Sequence, residues 1–157
     1  MLTVMKIEEI SSNDIEEIKM LARRAVLELV SATDRVKNEI IFDTWKRIEK
    51  CSSESDGVFL KCTEADILGF ILIQDGWNLS DLFVLPEMCG KGIGKLLFNA
   101  ARSECKLKDH KGYIRVNASL NAEGFYRNLG FERFTSGKEL PHYVVPLIYN
   151  FTNVPLT

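Results

Sequence analysis

Val84-Leu85-Pro86-Glu87-Met88-Cys89-Gly90-Lys91-Gly92-Ile93-Gly94-Lys95 decides how this chain is read. A strand-like run, Leu82 to Pro86, leads into glycines at alternate positions. Ile93, Leu96, Leu97, Ala100 and Ala101 then recur at the spacing of one helix face. Strand, glycine turn and helix start together make an anion-binding device. The first backbone N–H groups of a helix have no internal partner, and the helix dipole is positive there. Glycines let a ligand come close to the backbone. No Ser, Thr, Asp or Asn stands where a side-chain cap belongs. Lys91 and Lys95 add positive charge to a helix end that is already positive. The stretch predicts an anion brought from outside.

Two familiar phosphate loops do not fit. The nucleotide loop G-x-x-x-x-G-K-[ST] would end at Gly94-Lys95, but Cys89 replaces its first glycine and Leu96 its magnesium-binding hydroxyl. The dinucleotide fingerprint G-x-G-x-x-G fails because Gly90, Gly92 and Gly94 alternate.

The match that remains is V-x-P-x-x-x-G-x-G-x-G, from Val84 to Gly94. Downstream stands Ala122-Glu123-Gly124-Phe125-Tyr126-Arg127-Asn128-Leu129-Gly130-Phe131, of the form A-x-x-F-Y-x-x-x-G-F. Tyr126 lies 32 residues beyond Gly94, which leaves room for one helix and one strand. In this order the two motifs resemble the acyl-CoA-binding and catalytic segments of the GNAT N-acetyltransferase family. The specific resemblance covers residues 78–135. The chain departs from the family at Cys89, where Arg or Gln is usual; that removes a side-chain contact to pyrophosphate and leaves the backbone amides.

The resemblance implies acetyl-CoA as co-substrate, no metal, and direct attack by a primary amine of a small-molecule acceptor in a ternary complex. It implies a cofactor site built from Phe83, Val84, Leu85, Cys89, Gly90, Lys91, Gly92, Ile93, Gly94 and Lys95, with Asn117 and Asn121 against the CoA arm. Backbone of the Phe83–Leu85 strand would pair with the pantetheine arm, and an amide there would stabilise the oxyanion. Lys91 and Lys95 read equally as phosphate contacts or as a solvated helix face. By composition Tyr126 is a core aromatic; by resemblance it is the general acid that protonates the departing thiolate. A phenol of pKa about 10 suits that transfer. Asp81 reads either as a surface carboxylate or, in a D-L-x-V context, as a group that binds the amine or acts as a water-mediated base. Glu28, Asp34, His142 and Tyr143 border the same region in this reading. Asn121 is expected to cap a helix. Cys89, near a helix N-terminus, has the setting of a thiol with a lowered pKa.

Composition limits the alternatives. The chain has 157 residues, enough for a single domain over 1–157 with an adequate core. Twenty basic residues against 22 acidic ones give a net charge of −2, which argues against nucleic acid as a partner. It leans weakly toward a cationic amine. Four cysteines at 51, 62, 89 and 105 show no metal spacing, and with two histidines they read as reduced thiols of a cytoplasmic protein. Cys62 and Cys105 read as small core residues. The N-terminal residues lack the pattern of a signal peptide, and the apolar run from Ile67 to Ile73 is too short to span a bilayer, so no membrane association is expected.

The expected order is β-αα-βββ-α-β-α-ββ. Strands fall at residues 3–10, 58–62, 67–74, 78–85, 112–117, 131–135 and 142–149. Helices carry Ile15–Leu29, a segment starting at Asp34, the segment after the glycine loop to about Leu107, and Ala122–Leu129. Asn13 with Glu16 suggests a capping box, and Asp75-Gly76 a hairpin turn. This is an α/β layered fold with a mixed, mostly antiparallel sheet. By resemblance it is the GNAT fold, whose central parallel strands splay around the thioester. The acceptor pocket would be made by the first two helices, the hairpin near Trp77 and the last loop. The C-terminal strand is a candidate homodimer surface. The second functional reading is a non-catalytic acyl-CoA-binding module. The third is a nucleotide hydrolase, which the missing loop residues disfavour.

Overall fold

The computed structural model describes residues 4–108 and 111–153. Strand β1 (Lys6–Glu9) is followed by helices α1 (Ile15–Leu29) and α2 (Asp34–Cys51). Next come three strands, β2 (Val58–Glu64), β3 (Asp66–Gln74) and β4 (Asn78–Val84), then helix α3 (Ile93–Lys108). Strand β5 (Tyr113–Ser119), helix α4 (Glu123–Asn128) and strands β6 (Glu132–Arg133) and β7 (Val144–Asn150) complete the chain. The seven strands form one sheet in the order β1-β2-β3-β4-β5-β7-β6. Every neighbouring pair is antiparallel except β4 and β5. The layered α/β plan is therefore the expected one. The last pair of strands differs from expectation in length, since β6 has only two residues.

The sheet is covered on both faces. Strand β3 is buried along almost its whole length and alternates between two cores. Ile71 and Ile73 pack with Ile93, Leu97, Phe98 and Ala101 of α3. Phe70 and Leu72 pack with Ile18, Leu21 and Ala22 of α1 and Ile48 of α2. On α3 the buried stripe takes in Phe98, while Leu96, expected inside, is 46% exposed. Cys62 and Cys105 are buried in the α3-side core, as small core residues.

Local signals were right in kind and shifted in position. The box before α1 is made by Ser11 and Asp14, not Asn13 and Glu16: the Asp14 carboxylate accepts from the Ser11 N–H at 2.8 Å. Thr33, not Asp34, caps α2, its hydroxyl accepting from the Val36 N–H at 3.3 Å. Asp75 and Gly76 take positive φ of 57° and 79°, and the Trp77 N–H closes the turn onto the Gln74 carbonyl at 3.2 Å. No helix among the described residues is long and apolar enough to cross a membrane.

The opening in the sheet follows from two features of β4. It pairs with β5 only at Asn78↔Arg115 and Leu79↔Val116. Ser80 is an extra residue between the partners of Ile73 and Leu72, a bulge that shifts the register. Beyond it β4 stays on β3 and leaves β5, so the two parallel strands diverge.

Candidate active site

The divergence exposes one edge of β4. In an antiparallel ladder, alternate residues turn their peptide groups to the same neighbour. The Leu85 N–H donates to the Leu68 carbonyl on the β3 side at 2.9 Å, and Phe83, two residues earlier, is registered on Phe70. Leu82 and Val84 therefore turn their peptides to the free edge. Of the expected Phe83, Val84 and Leu85, Val84 turns its peptide to the open edge, Phe83 contributes to the cleft wall, and the Leu85 N–H is already used within the sheet. Leu82, absent from the sequence prediction, also turns its peptide to that edge. Nothing local to Leu82 signals this, because the bulge at Ser80 depends on the facing strand.

At the end of β4 a 3-10 turn (Pro86–Met88) leads to the glycine loop. Gly90 and Gly92 have φ of +80° and +83°, in the region that favours glycine, and nothing lies within 4 Å of the side-chain positions they leave empty. Gly94 serves another purpose. It lies inside α3, and a Cβ there would come within 3.0 Å of the Phe125 ring. The first helical bond into α3 is from the Leu96 N–H to the Gly92 carbonyl, at 3.0 Å. Among the described residues, the N–H groups from Gly90 to Lys95 have no acceptor. Free amides, a positive helix end and open space above two glycines fit an oxyanion-rich group such as a pyrophosphate.

These amides line a cleft of about 740 Å³. Its wall includes Leu82, Phe83, Val84, Cys89, Gly90, Gly92, Ile93, Gly94 and Lys95 on one side and Asn121, Phe125 and Tyr126 on the other. Lys95 thus reaches the cleft. Lys91 does not line it; its ammonium lies 3.9 Å from the Met88 sulfur. Cys89 is exposed at the cleft edge, and its thiol pKa is raised, not lowered, by burial and by the Glu87 charge.

A second cavity of about 450 Å³ lies on the α1–α2 side. Residues 30–32 after α1, Thr44 and Arg47 of α2, Asp81, Asn117 and Tyr143 are among its walls. Asn117 is therefore on this side of the opening and not on the glycine-loop side. Asn121 lines both spaces but does not cap α4; its side-chain amide donates to the Leu29 carbonyl at the end of α1, at 3.3 Å. The hairpin residue Trp77 lies elsewhere, edge-on to Tyr113 with ring centroids 6.1 Å apart. Of the other bordering candidates, only Tyr143 lines the cavity. Glu28 pairs with Arg24 at 3.3 Å.

Asp81 is 3% exposed and accepts three hydrogen bonds. Arg47 donates from Nε to Oδ2 at 2.7 Å and from Nη2 to Oδ1 at 2.9 Å, and the Thr44 hydroxyl donates to Oδ1 at 3.0 Å. Burial alone would lower the Arg47 pKa; the Asp81 hydrogen bonds and charge raise it instead. Sequence reading missed Thr44 and Arg47. One available signal was Thr44 itself, a hydroxyl within the inward stripe of Ile41 and Ile48.

The two spaces share seven wall residues, Leu82, Phe83, Asn121 and Tyr126 among them. Tyr126 is 6% exposed, packed edge-on to Phe125 and Phe131. Burial, and secondarily the Asp81 charge, push its phenol pKa well above the usual value. A phenol therefore stands, protonated, where an anion-binding cleft meets a second cavity through a split sheet.

Comparison with known proteins gives the family. A profile described as an acetyltransferase (GNAT) domain matches residues 31–141. The chain belongs to the GNAT acetyltransferase family. Its fold is shared by a GCN5-related N-acetyltransferase from Rhodopseudomonas palustris, at 16% identity and a TM-score of 0.77 over 96% of this chain and 98% of that one. The PaiA N-acetyltransferase of Thermoplasma acidophilum, solved with coenzyme A, is 20% identical with a TM-score of 0.74 over 94% and 99%. A GNAT family acetyltransferase of Brucella melitensis, solved with acetyl-CoA, is 22% identical with a TM-score of 0.63 over 92% and 96%. No curated protein sequence matches this GNAT domain.

Proposed function

We propose that this GNAT domain transfers the acetyl group of acetyl-CoA to the primary amine of a small molecule. The observation that carries the reading is the meeting of the two cavities at Leu82, Phe83 and Tyr126. An anion site alone would describe a binding module. A second cavity on the α1–α2 side that reaches the same phenol gives an acceptor its own approach.

The residues divide the work as follows. The amides of Gly90–Lys95 hold the pyrophosphate, and the free edge of β4 pairs with the pantetheine arm. The Leu82 or Val84 N–H stabilises negative charge that develops on the thioester oxygen. The amine, deprotonated, attacks the carbonyl from the α1–α2 cavity. As the tetrahedral intermediate collapses and the C–S bond breaks, the nitrogen loses its surplus proton to solvent. Tyr126 donates its proton to the departing sulfur, and the phenolate left behind is reprotonated from solvent. The raised pKa of Tyr126 keeps it protonated at physiological pH, and it gives up the proton only as charge accumulates on sulfur. Most of the acceleration comes from holding two substrates in line. Asp81 is assigned to holding Arg47, because three hydrogen bonds from Arg47 and Thr44 already fall on its two oxygens.

The test is release of free CoA thiol from acetyl-CoA in the presence of a panel of primary amines. We expect release that depends on a particular amine. Binding of acetyl-CoA with no release for any amine would identify the domain as a non-catalytic acyl-CoA binder instead.

A further inference from the structure

We propose that the acceptor is a primary amine that also carries a carboxylate, and that Arg47 is the residue that reads it. The inference rests on the acetyl-transfer reading for the position of the amine, and on the cavity alone for the recognition of the carboxylate.

Arg47 and Asp81 are the charged residues in the wall of the α1–α2 cavity. Asp81 is already paired with a cation. Its Oδ1 accepts from Thr44 and from Arg47 Nη2, and its Oδ2 accepts from Arg47 Nε. The one accepting position left, on Oδ2, lies beside the guanidinium, so a second cation there would meet the Arg47 charge. Arg47 still has capacity. Nε and both Nη2 hydrogens are used, on Asp81 and on the Thr44 hydroxyl at 3.1 Å. The two Nη1 hydrogens have no partner among the described residues, and the side chain is 31% exposed. A guanidinium anchored through Nε and Nη2 and open at Nη1 is held in place to donate to an incoming carboxylate.

The surroundings agree. Acids elsewhere on α1 and α2 belong to other pairs: Glu28 with Arg24, Asp43 with Lys46, Glu39 with Arg35. Among the described residues, no carboxylate besides Asp81 lines the cavity to hold the far end of a polyamine. Ser31, Asn117 and Tyr143 supply uncharged hydrogen-bonding groups. The volume of about 450 Å³ falls in the range of small-molecule sites. With its carboxylate on Arg47, such an amine extends toward Leu82 and Tyr126, where the two cavities meet. Net charge leaned only weakly toward a cationic amine, and this cavity adds a carboxylate to that amine.

The experiment compares matched acceptors that share one side chain: an α-amino acid, its decarboxylated amine, and spermidine as the polycation. Acetyl transfer and ligand-induced thermal stabilisation in the presence of CoA are both read. A charge-assisted pair of about 1.5–3 kcal/mol predicts a preference for the carboxylated amine of about tenfold or more in kcat/KM. Arg47→Lys should narrow that preference with the KM for acetyl-CoA unchanged. Because Arg47→Met alone would strand Asp81, it is combined with Asp81→Asn; the folded double variant should show no preference. Equal or better use of the decarboxylated amine or spermidine overturns the proposal, as does a preference that survives the double variant. Selective stabilisation by carboxylated amines without transfer would uphold it and overturn the acetyl-transfer reading. No transfer and no selective stabilisation would overturn both.

Discussion

Tyr126 and Asp81 line the same cavity, and the Asp81 charge adds to burial in raising the Tyr126 pKa. The two effects act in one direction because both disfavour a phenolate. An ordinary tyrosine ionises near about pH 10; Tyr126 should remain a phenol beyond that. Tyr126→Phe should reduce kcat by about a hundredfold, the low end of the usual general-acid contribution, with little change in acetyl-CoA affinity. A difference titration of tyrosinate absorbance, native enzyme minus variant, should show no Tyr126 ionisation near pH 10. Asp81→Asn should move that ionisation downward without restoring the free value, since burial remains. Unchanged turnover in Tyr126→Phe would remove it from the mechanism.

Gly92 holds φ at +83° with open space where a side chain would stand. Gly92→Ala meets no clash in the free protein, so its effect is conformational. A Cβ in this region costs about 1–2 kcal/mol. A loop that relaxes to avoid the strain must be restored when the anion binds. Acetyl-CoA affinity should therefore fall about tenfold, read by calorimetric titration, while the melting temperature changes little. Gly94→Ala should behave differently. It improves helix propensity but presses on Phe125 at 3.0 Å, so its cost falls on packing at the cleft wall.

What the sequence showed and what it hid divide along the range of the forces involved. The glycine loop was legible because its chemistry is local: an uncapped helix start and two glycines that need positive φ are written in consecutive residues. Tyr126 was legible by resemblance, since its packing alone would have suited a core aromatic. The edge of β4 was not legible. The bulge at Ser80 is set by Leu72 and Ile73 on the facing strand, and one extra residue exchanges which peptides face the cleft. The Arg47–Asp81 pair was hidden too, because its partners are 34 positions apart and meet only when α2 lies across the sheet. Caps were misplaced by one or two residues for a related reason: neighbouring Ser, Asn, Asp and Thr all qualify by type, and backbone geometry selects among them.

The four thiols should separate cleanly by accessibility. Burial first, with nearby acidic charge, raises Cys51 to about 11 and Cys105 to about 12. Cys62 is also buried, while Cys89 is exposed at the rim of the anion cleft. A thiol reagent at pH 8 should modify one cysteine in the native protein and four after unfolding. Its rate should be modest, because the Cys89 pKa is itself raised. Acetyl-CoA should slow the native reaction. Two fast thiols, or no protection, would contradict the placement of Cys89 beside the cofactor.

Asp14 joins the turn before α1 to strand β2. Its carboxylate accepts from Lys61 at 2.7 Å and from the Ser11 N–H at 2.8 Å. Burial alone would raise its pKa, but the Lys61 and Ser11 hydrogen bonds outweigh that and lower it. A carboxyl whose pKa is depressed on folding contributes stability above its unfolded value, about 3.9. That contribution is lost as pH falls through the folded value. Asp14→Asn should therefore destabilise the protein at pH 7, and the gap from the native protein should shrink below about pH 4. Urea unfolding midpoints at pH 7 and pH 3 measure both ends. A gap that stays constant with pH would assign the Asp14 contribution to shape and hydrogen bonding, with no part for its charge.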